Sequence, residues 1–347
     1  MNYRRVWLTL TVLLFACTCR GQQDPQFSQY MYSDFCINPA IAGSAGICAT
    51  TLFRQQWAGF SESYMDENGE THTTTVAPQE IVFNLHSPVK FLHGGVGASF
   101  YRDQEGHQNN IDVKLAYAYK MNIGGGFLNI GLAFQMSNLT VLGDEYRPVQ
   151  PGDPVVPTSN QSDFFKDLSF GLYYKDNDDK WYAGLSVTQL LGELMGNEAV
   201  NTHQSTTRHI YAMGGYSFPL PINPNWIMKP SFLIKSDVAK TQIDLTMIGE
   251  YQKVLWCGVS YRMVDAIVLM FGAQPFVGSS SAIKGLKVGV AYDITTSKLG
   301  YTHGRSFGSP EVMLKYCFNI VTNPPRTDTG TPTIWATVRR GNKYNGK

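Results

Sequence analysis

The sequence predicts an all-β protein: a transmembrane antiparallel β-barrel of the outer membrane, with about 14 strands and an N-terminal segment that partly plugs it. Three observations predict this fold. An export signal opens the chain, apolar residues then recur at every second position, and long connections between the predicted strands alternate with short ones. The composition agrees, because only 16% of the 347 residues are charged, against about 25% in a typical soluble domain.

The first residues are interpreted as a signal peptide. A positive start at Arg4 precedes an apolar run over residues 6–19, which is shorter than the roughly 20 residues that a membrane-spanning helix needs. Cleavage is predicted before Gln22. A retained anchor remains an alternative, as does lipidation at Cys17, which follows a lipobox-like stretch.

The predicted regions are a signal peptide (1–21), an N-terminal motif segment (22–46), the barrel (47–319) and a periplasmic C-terminal tail (320–347).

Period-two alternation recurs along most of the mature chain. In residues 111–120, Leu115 and Tyr117 alternate with Lys114 and Ala116, as expected of a strand with one face toward lipid and one toward a lumen. A soluble β-sandwich also alternates, but no helix is predicted that would cover a sheet, and many strands end in aromatic residues. The predicted strands lie near 47–58, 79–88, 94–102, 108–121, 126–138, 163–176, 180–191, 207–219, 226–237, 241–251, 254–262, 265–276, 283–294 and 308–319.

Connection lengths predict the orientation of the barrel. The longest connections, 59–78, 139–162, 192–206 and 295–307, are all odd-numbered, whereas every even-numbered connection is short. Outer-membrane barrels have short periplasmic turns and longer outer loops, so both chain ends are predicted to lie in the periplasm. The inward faces combine small residues with charges that are spread along the strands. These charges are Lys114, Lys175, Lys229, Lys235, Asp244, Arg262, Lys287 and Lys315.

The aromatic stretch over residues 22–46 interrupts the alternation. It carries turn signals at Asn38-Pro39 and Gly43-Ser44. Because a free aromatic segment would be adhesive, it is predicted to fold into the barrel mouth or lumen as a partial plug, with a periplasmic linker as the alternative. The candidate plug residues are Gln26, Phe27, Gln29, Tyr30, Asn38, Pro39, Gly43 and Ser44.

Motifs at both ends of the mature chain carry a family resemblance. They are DPQFSQYM at 24–31, NPAIAGS at 38–44, RQQW at 54–57, AYD at 291–293 and SPEV at 309–312. These motifs resemble those of the PorP/SprF family of Bacteroidota outer-membrane proteins. The resemblance covers the mature chain to about residue 320, and its N-terminal motif is the most specific part.

The resemblance implies a role in the type IX secretion and gliding machinery. Family members are outer-membrane barrels that support export or surface attachment of large adhesins, and they are thought to receive the C-terminal domain of their cargo. The implied partners are a secreted adhesin C-terminal domain, periplasmic or outer-membrane components of the secretion system, and membrane lipid. Nucleic acid is not expected as a partner, because the net charge is only +1. An outer-membrane porin or small-solute transporter is the alternative function.

No catalytic or metal-binding motif is found, so the protein is predicted to be no enzyme and to need no cofactor. None of the seven histidines has metal-ligand spacing with another His or Cys. Asp144, Glu145 and Asp153 allow a calcium-site interpretation, but a stiff solvated loop is favoured because their spacing matches no calcium loop.

Four cysteines follow the signal peptide. Cys36 and Cys48 are the one pair close in sequence, and four unpaired cysteines are favoured over a disulfide.

The C-terminal tail is basic and mostly polar. Two prolines after residue 323 end the last strand, because they cannot donate to a β-ladder. Trp335, Arg339 and Arg340 are the candidate contacts to a periplasmic partner, since Trp and Arg often dominate interface energies. Simple disorder of the terminus would also explain the composition.

Overall fold

The structure is a computed structural model, and it places neither the predicted signal peptide nor the C-terminal tail among its described residues. The described residues are 26–65, 68–146, 157–192, 194–195, 204–205, 207–237, 240–263, 265–277, 282–296 and 306–318.

Fourteen antiparallel strands form one closed sheet, which confirms the predicted barrel and its strand count. Strands that follow one another in sequence pair with each other, and the ring closes because the first strand pairs with the last. A short strand, Phe218–Leu220, continues the eighth strand. The barrel strands are β1 (Ile47–Gln55), β2 (Gln79–Val89), β3 (Gly94–Glu105), β4 (Gln108–Ile123), β5 (Gly126–Val141), β6 (Gln161–Asp176), β7 (Trp181–Thr188), β8 (His209–Tyr216), β9 (Asn223–Ser236), β10 (Thr241–Tyr251), β11 (Leu255–Arg262), β12 (Ala266–Ala273), β13 (Leu286–Thr295) and β14 (Ser309–Phe318).

The two faces of each strand differ as the alternation predicts. On β5, the outward side chain of Leu132 is 53% exposed, whereas the inward neighbour Ala133 is 1% exposed. Large apolar side chains cover the outward face, where they meet lipid rather than water. In the part of the chain that the structure describes, no helix has the length and apolar character to cross a membrane.

The two ends of the barrel carry different connections. The chain enters β1 at Ile47 and leaves β14 at Phe318 on the same end, which we call the short-turn end. The opposite, long-loop end carries the four longest connections, 56–78, 142–160, 189–208 and 296–308. Two of these loops contain hairpins of their own, which pair Ser61–Met65 with Thr71–Thr75 and Leu194–Met195 with Gln204–Ser205.

A disulfide joins the first and last strands at the short-turn end. It links Cys48 on β1 to Cys317 on β14, so the expectation of four unpaired cysteines is wrong for these two residues. The residues are 269 positions apart in sequence, but barrel closure places them directly opposite one another in register. The thiol of Cys36 instead donates to the Ser33 carbonyl oxygen at 2.8 Å.

Residues 26–46 lie inside the barrel. We call them the lumen segment. They form three single turns of 3₁₀-helix, Tyr30–Tyr32, Asp34–Cys36 and Pro39–Ile41. The third turn begins with a side-chain cap, because the Asn38 carboxamide oxygen accepts from the Ala40 amide at 2.9 Å. The aromatic and apolar side chains that broke the strand alternation in the sequence are therefore buried in the lumen.

Candidate functional site

Polar side chains from strands all around the barrel hold the lumen segment. Many of them contact its backbone, which satisfies the carbonyl groups that short 3₁₀ turns leave unpaired. The contacts pair Lys114 Nζ with the Cys36 carbonyl (2.8 Å), Asn129 Nδ2 with the Ala40 carbonyl (2.8 Å), Ser186 Oγ with the Ile37 carbonyl (3.0 Å) and Lys315 Nζ with the Tyr32 carbonyl (3.0 Å). These four donors lie on β4, β5, β7 and β14, so the barrel surrounds the segment.

A buried cluster of charges anchors the start of the segment near the long-loop end. Asp293 on β13 accepts from two arginines, from Arg54 Nη2 at 2.9 Å and from Arg262 Nη1 at 2.8 Å. Arg262 Nε also donates to Asp244 at 3.2 Å. These four side chains are at most 5% exposed, so each charge depends on its partners for solvation.

Glu311 on β14 connects this cluster to the lumen segment. Its two carboxylate oxygens accept from successive backbone amides, Ser28 at 2.7 Å and Gln29 at 2.8 Å. The Ser28 hydroxyl donates to Asp293 as well. Because one wall side chain holds two successive amides of the segment, this contact fixes the height of the segment in the lumen.

Small inward residues make room for the segment. A Cβ atom on Gly131 of β5 would meet the Ala40 nitrogen at 2.3 Å, and a Cβ on Gly171 of β6 would meet the Asn38 side-chain oxygen at 2.1 Å. Near the short-turn end, a Cβ on Gly95 would meet the Ala42 carbonyl oxygen at 2.3 Å. The backbone of the segment therefore lies directly against the wall, a distance that only glycine permits there.

Aromatic packing fills the space between the polar contacts. The Phe27 ring meets the Tyr101 ring edge-on with centroids 6.1 Å apart, and the Phe35 ring lies 5.6 Å from the His86 ring. The Tyr30 hydroxyl is within 3.1 Å of both Ser231 on β9 and Thr246 on β10. Each aromatic side chain of the segment thus has its own position on the inner wall.

The residues predicted for a plug fall within this arrangement. Gln26 lines a small cavity with Lys235 and Asp244, and the Asn38 amide donates to the Leu172 carbonyl at 3.0 Å. Pro39 opens the third turn and is buried.

Gly43 has a positive φ of 71°, and its amide donates to His86 Nδ1 at 3.2 Å. The Ser44 amide donates to the Ile41 carbonyl at 3.0 Å. Trp335, Arg339 and Arg340 lie outside the described residues.

Sequence reasoning did not assign a role to the anchoring side chains. Arg54, Asp293 and Glu311 were noted only as parts of end motifs, and their meeting depends on the pairing of β1 with β14 and of β14 with β13. The alternation of the sequence does indicate one property of these residues: each is a charged residue on the face of its strand that points into the lumen. Inward charges occur along several strands, and four of them, Arg54, Asp244, Arg262 and Asp293, meet in this buried cluster near the long-loop end.

The lumen side chains bind the lumen segment through hydrogen bonds and aromatic contacts. Among the described residues, no three His, Cys, Asp or Glu side chains are grouped to hold a metal ion. Glu145 contacts His107 Nδ1 at 2.8 Å, and the third residue of the calcium-site interpretation, Asp153, lies outside the described residues.

In the turn 177–180, Lys180 donates to Asp178 at 2.8 Å, and this bond lowers the pKa of the Asp178 carboxyl and raises the pKa of Lys180.

A closed 14-strand barrel with an apolar outer face and a chain segment packed in its lumen defines an outer-membrane barrel protein. The sequence matches the family described as "Type IX secretion system membrane protein PorP/SprF" over residues 19–316, so the chain belongs to this family. No curated protein matches the chain. The protein is therefore an outer-membrane protein of the type IX secretion system, as the end motifs predicted.

Solved outer-membrane proteins share the barrel architecture at low similarity. The toluene transporter TodX of P. putida is 9% identical, with 81% of this chain and 92% of that chain covered and a TM-score of 0.43. An outer-membrane channel from Pseudomonas putida F1 is 9% identical, with 78% and 95% covered and a TM-score of 0.36. BamA from Haemophilus ducreyi is 9% identical, with 77% and 70% covered and a TM-score of 0.35.

Proposed function

We propose that this protein is a docking barrel that supports export or surface attachment of large adhesins by receiving their C-terminal domain. It performs no chemistry of its own. The observation that carries the proposal is the lumen segment, because a diffusion channel needs a continuous aqueous path. Farther into the lumen from the short-turn end, two cavities between the lumen segment and the wall have volumes of only about 40 and 10 Å³. A porin or small-solute transporter is therefore the weaker candidate.

The proposal places the short-turn end in the periplasm, where exported cargo arrives. Short periplasmic turns and long outer loops are the rule for such barrels. Cysteines introduced at Asn68 and Asn160, in two long-loop connections, should react with an impermeant thiol reagent on intact cells. A cysteine at Asp178, in a short turn, is the matched control and should react only after lysis. The reverse pattern would invert the orientation and remove the docking face from the periplasm.

The direct test measures cargo. Deleting the chain in its native host should lower the amount of adhesin at the cell surface, and the barrel purified from native envelopes should bring an adhesin C-terminal domain or secretion components with it. Restoring the full chain should restore the surface adhesin. Unchanged surface adhesin in the deletion strain would contradict the proposed function.

The basic tail is proposed as a second contact to the periplasmic machinery through Trp335, Arg339 and Arg340. Removing residues 326–347 should leave a folded, heat-modifiable barrel in the outer membrane but impair adhesin export or gliding. Replacing Arg339 and Arg340 by lysine is the milder control, because it keeps the charge. Normal export by the truncated protein would exclude the tail from docking.

A further inference from the structure

The residues that the structure describes leave part of the lumen empty at the short-turn end. A cavity of about 780 Å³ opens there between the lumen segment and the inner wall of the strands from β6 to β10, β13 and β14. We call it the vestibule. Its size is within the range of ordinary ligand pockets, about 300–1,000 Å³. The lumen segment forms its inner end with Met31, Tyr32 and Asp34.

The vestibule is rich in lysine. Six lysines line it, against four acidic residues. Two of the acids are used at the rim, where Asp179 pairs with Lys175 at 2.9 Å and Asp178 pairs with Lys180 at 2.8 Å. The remaining lysines are Lys229, Lys253, Lys287 and Lys315, and the remaining acids are Asp34 and Glu250.

One wall of the vestibule carries three lysines, Lys229, Lys287 and Lys315, which outnumber Glu250 on the same wall and Asp34, which attracts Lys315 from the lumen segment. Lys229 and Lys287 share one carboxylate oxygen of Glu250, at 2.9 and 3.4 Å. Lys287 lies directly opposite Lys315 in the pairing of β13 with β14. Like charges directly opposite on neighbouring strands destabilise a sheet, so this pair favours a further anion in front of the wall.

Aromatic and proline side chains line the vestibule beside the lysines. Tyr216 and Phe218 lie with ring centroids 6.0 Å apart, and Tyr182 packs near Tyr173 with centroids 5.9 Å apart. Pro219 lies beside them. A lining that combines rings and prolines with lysines suits an extended polypeptide that carries carboxylates, because the rings contact its backbone and apolar groups while the lysines pair with its acids.

We propose that the vestibule binds an acidic, extended peptide segment of a partner protein through Lys229, Lys287 and Lys315. This inference rests on the proposed docking function and names the chemistry of the docked segment. Glu250 occupies the lysine pair in the absence of the partner, and the partner's carboxylates displace or join it.

The test uses the full mature chain, folded in detergent, and two fluorescein-labelled decapeptides. One alternates glutamate with glycine, and the other alternates lysine with glycine. The acidic peptide should bind, and the basic one should not. The variant K229Q/K287Q should bind the acidic peptide about tenfold more weakly, because two charge contacts are lost. K229R/K287R should retain binding, and K240Q, at an exposed lysine outside the vestibule, should leave it unchanged.

A second variant gives an effect of opposite sign. Glu250→Gln removes the internal competitor for the two lysines, so it should tighten binding of the acidic peptide about threefold or more. Heat-modifiability on gels shows that each variant is folded. The inference is overturned by absence of acidic-peptide binding, by equal binding of both peptides, or by K229Q/K287Q binding as wild type. If the deletion strain loses surface adhesin but K229Q/K287Q restores it fully, the vestibule inference fails while the docking function stands.

Discussion

The two halves of the lumen are built differently. Near the long-loop end, the side chains of the paired arginines and carboxylates are at most 5% exposed. They pair at 2.8–3.2 Å, and they fix the lumen segment to the wall. At the short-turn end, lysines line an open vestibule in which some of their charge has no matched acid. Among the described residues, the chain thus fills the lumen near one end and leaves a cavity near the other. This difference is expected of a one-sided receptor rather than of a pore.

Removing a buried arginine should have the largest effect on stability. Arg54→Ala leaves Asp293 with one arginine and Glu311 without its nearest cation in a site excluded from water, and should lower the free energy of unfolding by about 3–5 kcal/mol. The matched change in the open half, Lys287→Ala, should cost less, because Glu250 keeps its ion pair with Lys229 at 2.9 Å. Urea unfolding in lipid vesicles measures both. Equal costs would abolish the distinction between the halves.

A charge on the lipid face should be the next most costly change. Leu132→Arg should destabilise the barrel by about 2–4 kcal/mol if the residue lies near the bilayer midplane. The inward neighbour Ala133 lies against the lumen segment, so Ala133→Arg should displace that segment rather than disturb lipid contacts. Protease sensitivity of the N-terminal segment separates the two variants, and identical behaviour would contradict the observed alternation.

Adding one methyl group against the lumen segment should have an intermediate effect. Gly131→Ala places a Cβ 2.3 Å from the Ala40 nitrogen and should cost about 1–3 kcal/mol while loosening the segment. Gly258→Ala is the matched control, because the three atoms nearest to its Cβ belong to Ile248, Met247 and Met270 of the wall, at 3.0–3.3 Å, and none belongs to the lumen segment. Unfolding midpoints in urea measure the difference. A cost at Gly258 as large as at Gly131 would show that the segment is not what the wall accommodates.

Removing one hydroxyl at the boundary between the halves should have the smallest effect. Tyr30→Phe loses the hydrogen bonds to Ser231 and Thr246 and should cost about 0.5–1.5 kcal/mol. Tyr261→Phe, on the outward face and 50% exposed, should be close to neutral. A larger loss for the outward tyrosine would mean that the lumen contacts of Tyr30 contribute little.

The strand pattern was predictable because outward residues must be apolar along every strand, and this requirement leaves a period of two in the sequence. The lumen segment was suggested by aromatic residues without that period, such as Phe27 and Tyr30. Its anchors could not be derived in the same way. Arg54 and Glu311 are 257 positions apart in sequence, and only the register of β1 on β14 places them opposite one another.

The same limit explains the disulfide and the vestibule. Alternation shows which face a residue occupies but not which residues share a height in the barrel. Cys48 and Cys317 therefore looked unrelated, and Lys287 and Lys315 were recognised as inward charges without being recognised as neighbours. The height of a residue along the barrel axis depends on the register of each strand pair. The period-two alternation of the sequence does not contain that register.

Conductance in a planar bilayer tests most directly whether residues 26–46 close the lumen. The mature chain should show no sustained ion conductance, whereas a variant that lacks residues 22–46 should open a path through the barrel and conduct. Gly131→Ala, which loosens the segment, should give brief openings. A mature chain that conducts as strongly and steadily as the deletion variant would contradict the account and favour a diffusion channel.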